Sequence, residues 1–171
     1  MRRVLLLATV AALAACSPKA PEEAAPTPAP VPVANCNQVA PDFQSLVEVQ
    51  DEAAVTMAAE LLGGPITPGT YDLVSAVAIG AATGWNGGRA VALSVQETGE
   101  GVILNWAGGA PAGAIDTWTA TLLDTPDVRL TYTCGRVGTV AASYGADDQS
   151  LELRLPDGAN GTMRLVFQRR A

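Results

Sequence analysis

From Thr70 to Gln168 the chain is organised as eight short runs in which apolar and polar residues alternate, separated by clusters of Gly, Pro, Asn and Asp. Side chains on a β-strand project alternately to opposite faces, so this two-residue period fits half-buried strands and is wrong for helices. The runs are roughly Thr70–Ile79, Gly88–Glu97, Gly101–Ala107, Ile115–Leu123, Asp127–Gly135, Thr139–Tyr144, Ser150–Leu155 and Thr162–Gln168. Leu151, Leu153 and Leu155 oppose Glu152 and Arg154 in the seventh run; Met163, Leu165 and Phe167 oppose Arg164 and Gln168 in the eighth. Short connections such as ETGEG and PDGANG join consecutive strands as antiparallel hairpins. The expected fold is therefore mainly β: an antiparallel meander of about eight strands in a closed or nearly closed barrel, with a two-sheet sandwich as the alternative.

One stretch ahead of these runs has a different period. In DEAAVTMAAELL, Asp51–Leu62, acidic residues occupy the first turn, Val55, Ala58, Ala59 and Leu62 fall at helical spacing, and Gly63-Gly64 follows. This predicts one short N-terminal helix. Ser45–Gln50, just before it, reads equally as a strand or as an extension of that helix. Since only 5% of the residues are aromatic, Ala, Val, Leu and Gly are expected to do most of the core filling.

The first fifteen residues belong to a different kind of segment. Arg2 and Arg3 precede an apolar stretch of twelve residues, Val4–Ala15, broken only by Thr9, and it closes on Leu13-Ala14-Ala15-Cys16. Twelve residues span about 18 Å as a helix, short of a bilayer core of roughly 30 Å, so the segment reads as an export signal rather than a membrane anchor. The LAAC run resembles the lipobox of bacterial lipoproteins. That resemblance implies cleavage before Cys16, lipidation (diacylglyceryl and palmitate-type acyl chains) on its thiol, and attachment to the membrane through several chains. Ser17 stands where an aspartate would retain such a protein in the inner membrane, so the implied destination is the outer membrane, facing the periplasm.

Residues 17–33, SPKAPEEAAPTPAPVPV, hold six prolines and little that can pack. In polyproline geometry they reach about 50 Å, which suits a disordered tether. The expected organisation is thus 1–15 signal peptide, 16–35 lipidated cysteine and Pro-rich tether, and 36–171 a single β domain. With Cys16 committed to lipid, Cys36 and Cys134 are left as an even pair in an oxidising compartment and are expected to form a disulfide.

Composition excludes several chemistries. The chain contains no histidine, and its one lysine, Lys19, falls in the tether, so a serine nucleophile would lack both of its usual activators and zinc its commonest ligand. GWNGG, residues 84–88, is glycine-rich but lacks the lysine and following helix of a phosphate cradle, and reads as a turn. Removing Arg2 and Arg3 takes the formal net charge from -7 to -9, which makes nucleic acid a poor partner. Glu97 with Glu100 and Asp124 with Asp127 flank turns as carboxylate pairs, and Asp147-Asp148 lacks the ligand spacing of a calcium loop; all read as solvated surface charge. No catalytic residue, metal or cofactor is expected.

Among the tryptophans, Trp85 in the glycine-rich turn is the candidate binding residue, either exposed or packed over a barrel end, while Trp106 and Trp118 alternate with small residues and read as core. Leu130–Gly158, LTYTCGRVGTVAASYGADDQSLELRLPDG, looks like the first half of the membrane-bound inhibitors of C-type lysozyme through Tyr132, Cys134 and Tyr144. The chain lacks that family's serine-glycine-x-x-tyrosine motif after this point, so no inhibitory residue is carried over. The reading from sequence is a non-enzymatic, lipid-anchored periplasmic binding or envelope-associated lipoprotein whose partner is an envelope protein or small ligand. The alternatives are a lipocalin-like carrier of an apolar ligand, which needs a cavity of about 300 Å³ or more, and a periplasmic lysozyme inhibitor.

Overall fold

The computed structural model describes residues 35–52, 61, 63–99, 101–124 and 127–171. Among them there is no helix, and ten strands join in one sheet: β1 (Val49–Glu52), β2 (Gly69–Gly80), β3 (Ala90–Thr98), β4 (Gly101–Gly109), β5 (Asp116–Leu123), β6 (Arg129–Cys134), β7 (Thr139–Ala141), β8 (Ser143–Ala146), β9 (Ser150–Asp157) and β10 (Gly161–Arg169). All eight predicted runs are strands, the sixth being divided at Ala142 into β7 and β8. The expected helix is corrected at its start, because Asp51 and Glu52 belong to β1; most of the remainder, 53–60 and 62, lies outside the described residues.

The order across the sheet is β7-β6-β5-β4-β3-β2-β10-β9-β8, antiparallel throughout. Its two edge strands, β7 and β8, are consecutive in the chain, so the sheet curls round until its last strand adjoins its first. The result is a nearly closed barrel rather than two separate sheets. A departure from a pure meander occurs at β1, which pairs in parallel with Ala76–Ile79 of β2. A bulge explains how β2 serves several neighbours. β10 steps from Ser75 to Leu73 and leaves Val74 unpaired and outward, while the pairing of β2 with β3 ends at Asp72. An extra residue bends a strand sharply. Here the bend turns β2 away from β3 and opens room for β1, which the Arg164–Glu52 ion pair at 3.1 Å also ties to β10.

Burial follows the alternation. In β9, Leu151, Leu153 and Leu155 are buried between half-buried Ser150, Glu152 and Arg154; in β10, Met163, Leu165 and Phe167 are buried beside Arg164 and Gln168. An apolar interior and a polar exterior are the reverse of a membrane-embedded barrel. As expected, Ala, Val and Leu fill most of the interior, Ala76, Ala78, Ala92, Ala107 and Ala120 among them, and aromatic residues join them there. Five of the eight aromatic residues, Tyr71, Trp106, Trp118, Tyr144 and Phe167, are buried. The few aromatics the chain has are concentrated where they remove most apolar area from water.

Cys36 and Cys134 are disulfide-bonded, with Cα atoms 5.6 Å apart across a sequence separation of 98. Beside the bond, Asn37 Nδ2 donates to the carbonyls of both Trp106 and Trp118 at 3.0 Å, pinning the incoming chain across β4 and β5. At the other terminus, Arg170 donates through Nε and Nη2 to both Asp72 carboxylate oxygens, at 2.7 and 2.6 Å, and through Nη2 to the Ala40 carbonyl at 2.9 Å.

Candidate functional site

In an up-and-down barrel, alternate connections lie at the same end. The β2–β3, β4–β5, β6–β7 and β9–β10 connections therefore converge, and they frame a cavity of about 170 Å³ at the barrel mouth. Its apolar wall comes from the strands: Val91, Trp106, Trp118, Leu155, Met163 and Leu165. The connections and strand ends add Trp85, Arg89, Asp116, Arg136 and Asp157.

The aromatic wall is an ordered stack. Trp106 and Trp118 are cross-strand partners on β4 and β5, with ring centroids 5.2 Å apart and planes 11° from parallel. Phe167 meets Trp106 edge-on at 5.9 Å, and Tyr132 meets Trp118 edge-on at 5.3 Å. Such contacts hold both indoles in one orientation and contribute about 0.5–1.5 kcal/mol each beyond area burial. Arg136 lies over Trp118, its Cζ 5.7 Å from the ring centroid, and is ion-paired to Asp116 at 3.0 Å. Gly108 packs tightly beside the stack: a Cβ there would lie 3.1 Å from Trp106 Nε1 and 3.0 Å from a Val91 methyl, so either side chain would have to shift to admit one.

Trp85 is half-buried. Its indole N–H donates to the Val47 carbonyl at 3.3 Å, and Arg89 stands over its ring with Cζ 5.9 Å from the centroid. The residue thus packs over the barrel end and also lines the cavity. Its neighbour Gly84 has φ +56°, and a Cβ there would come within 2.9 Å of Val49, so glycine lets the connection cross close to β1. That connection is latched by Asp157, whose Oδ2 accepts from Thr83 N at 2.6 Å, Gly84 N at 2.8 Å and Thr83 Oγ1 at 3.2 Å. The Gly84 N–H foremost, with Thr83 adding to it against the opposing effect of partial burial, holds the Asp157 carboxyl below the usual aspartate range.

Two donors at the mouth have no hydrogen-bond acceptor among the described residues. Trp118 Nε1 is buried without a hydrogen-bond partner. Among the described residues, Arg89 has no carboxylate within ion-pair distance, whereas Asp116 is matched by Arg136 and Asp157 by the Thr83–Gly84 amides. Ile115 and Val137, the chain neighbours of Asp116 and Arg136, are exposed, Val137 at 95%.

The other sequence candidates are elsewhere. Cys16 and Glu100 lie outside the described residues, and Glu97 is exposed on β3. Asp124 and Asp127 line an open groove with Arg129, which pairs with Asp127 at 3.1 Å. Asp147 organises its own turn: its carboxylate accepts from Gln149 N, Ser150 N and Ser150 Oγ, and those bonds, Gln149 first, lower its pKa. Arg89, Asp116, Arg136 and Asp157 have no motif or spacing that marks them in the sequence; they meet only because hairpins share an end. Comparison with protein-family models, with curated proteins and with solved structures finds no match for this chain.

Proposed function

We propose that this is a lipid-anchored lipoprotein of the bacterial envelope whose β domain binds rather than catalyses, with the tryptophan-lined mouth as its binding site. The observation that carries the reading is the cavity itself, which combines a preorganised indole wall, an apolar floor and a few fixed polar groups, the usual composition of a ligand site. Size narrows the occupant. A cavity of about 170 Å³ lies well below the roughly 300 Å³ of a drug-sized site and close to the roughly 150 Å³ that holds benzene in an apolar protein core. The site therefore takes one ring-sized group, belonging to a small ligand or to a side chain of a protein partner, and a lipocalin-like load of lipid dimensions does not fit. Exposed Ile115 and Val137 supply apolar contact beyond the cavity for whatever carries that group.

The test is titration of a panel of single-ring compounds into the domain while following its three indole N–H resonances. Compounds that occupy the mouth shift Trp85, Trp106 and Trp118 together. A panel that moves none of them would remove the mouth as a binding site.

A further inference from the structure

The polar groups at the mouth are unequally committed, and the imbalance defines a ligand chemistry. Both cavity-lining carboxylates have partners, Asp116 in its ion pair and Asp157 in its amide latch. The cavity-lining donor with no hydrogen-bond acceptor among the described residues is the Arg89 guanidinium. An arriving oxygen acceptor pairs with it, and a guanidinium prefers that acceptor ionised. A cationic ring is disfavoured, because guanidinium groups already cover the indole faces it would use, Arg136 on Trp118 and Arg89 on Trp85.

We propose that the mouth binds a single ring carrying a carboxylate, the ring against the Trp106–Trp118 wall and the carboxylate on Arg89. This rests on the mouth being the binding site and adds the class of ligand. The same chemistry has two sources, a free aromatic acid or the C-terminal aromatic residue of a peptide.

The experiment measures affinity of the domain for 3-phenylpropionate, for 3-phenylpropionamide, and for a short peptide ending in phenylalanine with its carboxylate free or amidated. All four are titrated at pH 7 against the native domain and Arg89→Gln. That substitution leaves the backbone bridge from residue 89 to Val47 in place. The acid is expected to bind the native domain about tenfold or more tightly than the amide, as a charge-assisted hydrogen bond provides. Arg89→Gln is expected to erase that preference, and an unshifted thermal melt reports that the variant is folded. A stronger response to the free-carboxylate peptide than to the acid assigns the ligand to a chain terminus, and the reverse assigns it to a small acid. Equal binding of acid and amide, or an equal loss of both in Arg89→Gln, overturns the carboxylate assignment and leaves the mouth as a site. Binding of none of the four overturns both.

Discussion

Replacing Asp157 with alanine removes one oxygen that holds the β2–β3 connection through two backbone amides and a threonine hydroxyl. Intramolecular hydrogen bonds are worth about 0.5–1.5 kcal/mol each, and bonds to an ionised acceptor lie toward the upper end. The site is half-exposed and the 3.2 Å hydroxyl bond is weak, so counting the two amides at about 1 kcal/mol each predicts a loss of about 2 kcal/mol. The pH dependence identifies the cause. The folded carboxyl titrates below its unfolded value, so its contribution is fully present above the unfolded pKa, near 4, and disappears as pH falls through the folded value. Urea unfolding followed by tryptophan fluorescence should give a constant gap between native and Asp157→Ala from about pH 5 to 8, closing below about pH 4. Asp157→Asn keeps an oxygen but no charge, so its gap to the native domain should be smaller at pH 7 and should likewise narrow as the native carboxyl is protonated. A gap at pH 7 under about 0.5 kcal/mol, or one that persists unchanged at pH 2.5, would refute the latch.

Converting Cys36 and Cys134 together to serine should lower stability by about 4.7 kcal/mol, the loop-closure value for 98 residues, read as a fall in the urea midpoint; a loss below about 1 kcal/mol would show that the bond constrains little. Gly161→Ala would drive a methyl into the Ala82 backbone and the Asp157 carbonyl, and should destabilise by about 2–3 kcal/mol in thermal unfolding, whereas an unshifted melt would contradict that close approach. Membrane-extracted protein should carry acyl mass on an N-terminal Cys16 by intact mass spectrometry, and Cys16→Ala should be unacylated and soluble; a native chain without acyl mass would remove the lipid anchor from the proposed function.

The strands were legible because β-sheet burial has a short local period, visible in runs as brief as Leu151–Leu155 or Met163–Phe167. The disulfide was legible by parity, once a third cysteine was assigned elsewhere. What escaped depends on the third dimension. Asp51 and Glu52 look like the acidic first turn of a helix, yet the bend at Val74 offers their backbone a strand to pair with, and tertiary pairing overrides local preference. The break at Ala142 falls inside Thr139–Tyr144, a run with no Gly, Pro, Asn or Asp to mark it. At the site, Trp85 stood out because a glycine-rich turn rarely holds a large apolar residue. Trp106 and Trp118 are buried as expected but also form the cavity wall, two roles that alternation alone cannot separate. Arg89, Arg136, Asp116 and Asp157 look like ordinary turn charges until barrel closure brings four hairpins to one rim.

The disulfide has a mechanical consequence. Cys36 is fastened to Cys134, two residues before Arg136, and its N–H donates to Thr117 Oγ1, one residue after Asp116. Tension applied to the chain ahead of Cys36 therefore passes through one sulfur–sulfur bond into the same rim that holds the Asp116–Arg136 pair. It does not have to travel through Val47, β1 or the Arg170–Ala40 contact at 2.9 Å. A group held at the mouth and a pull on the chain ahead of Cys36 would share a short covalent path through the disulfide.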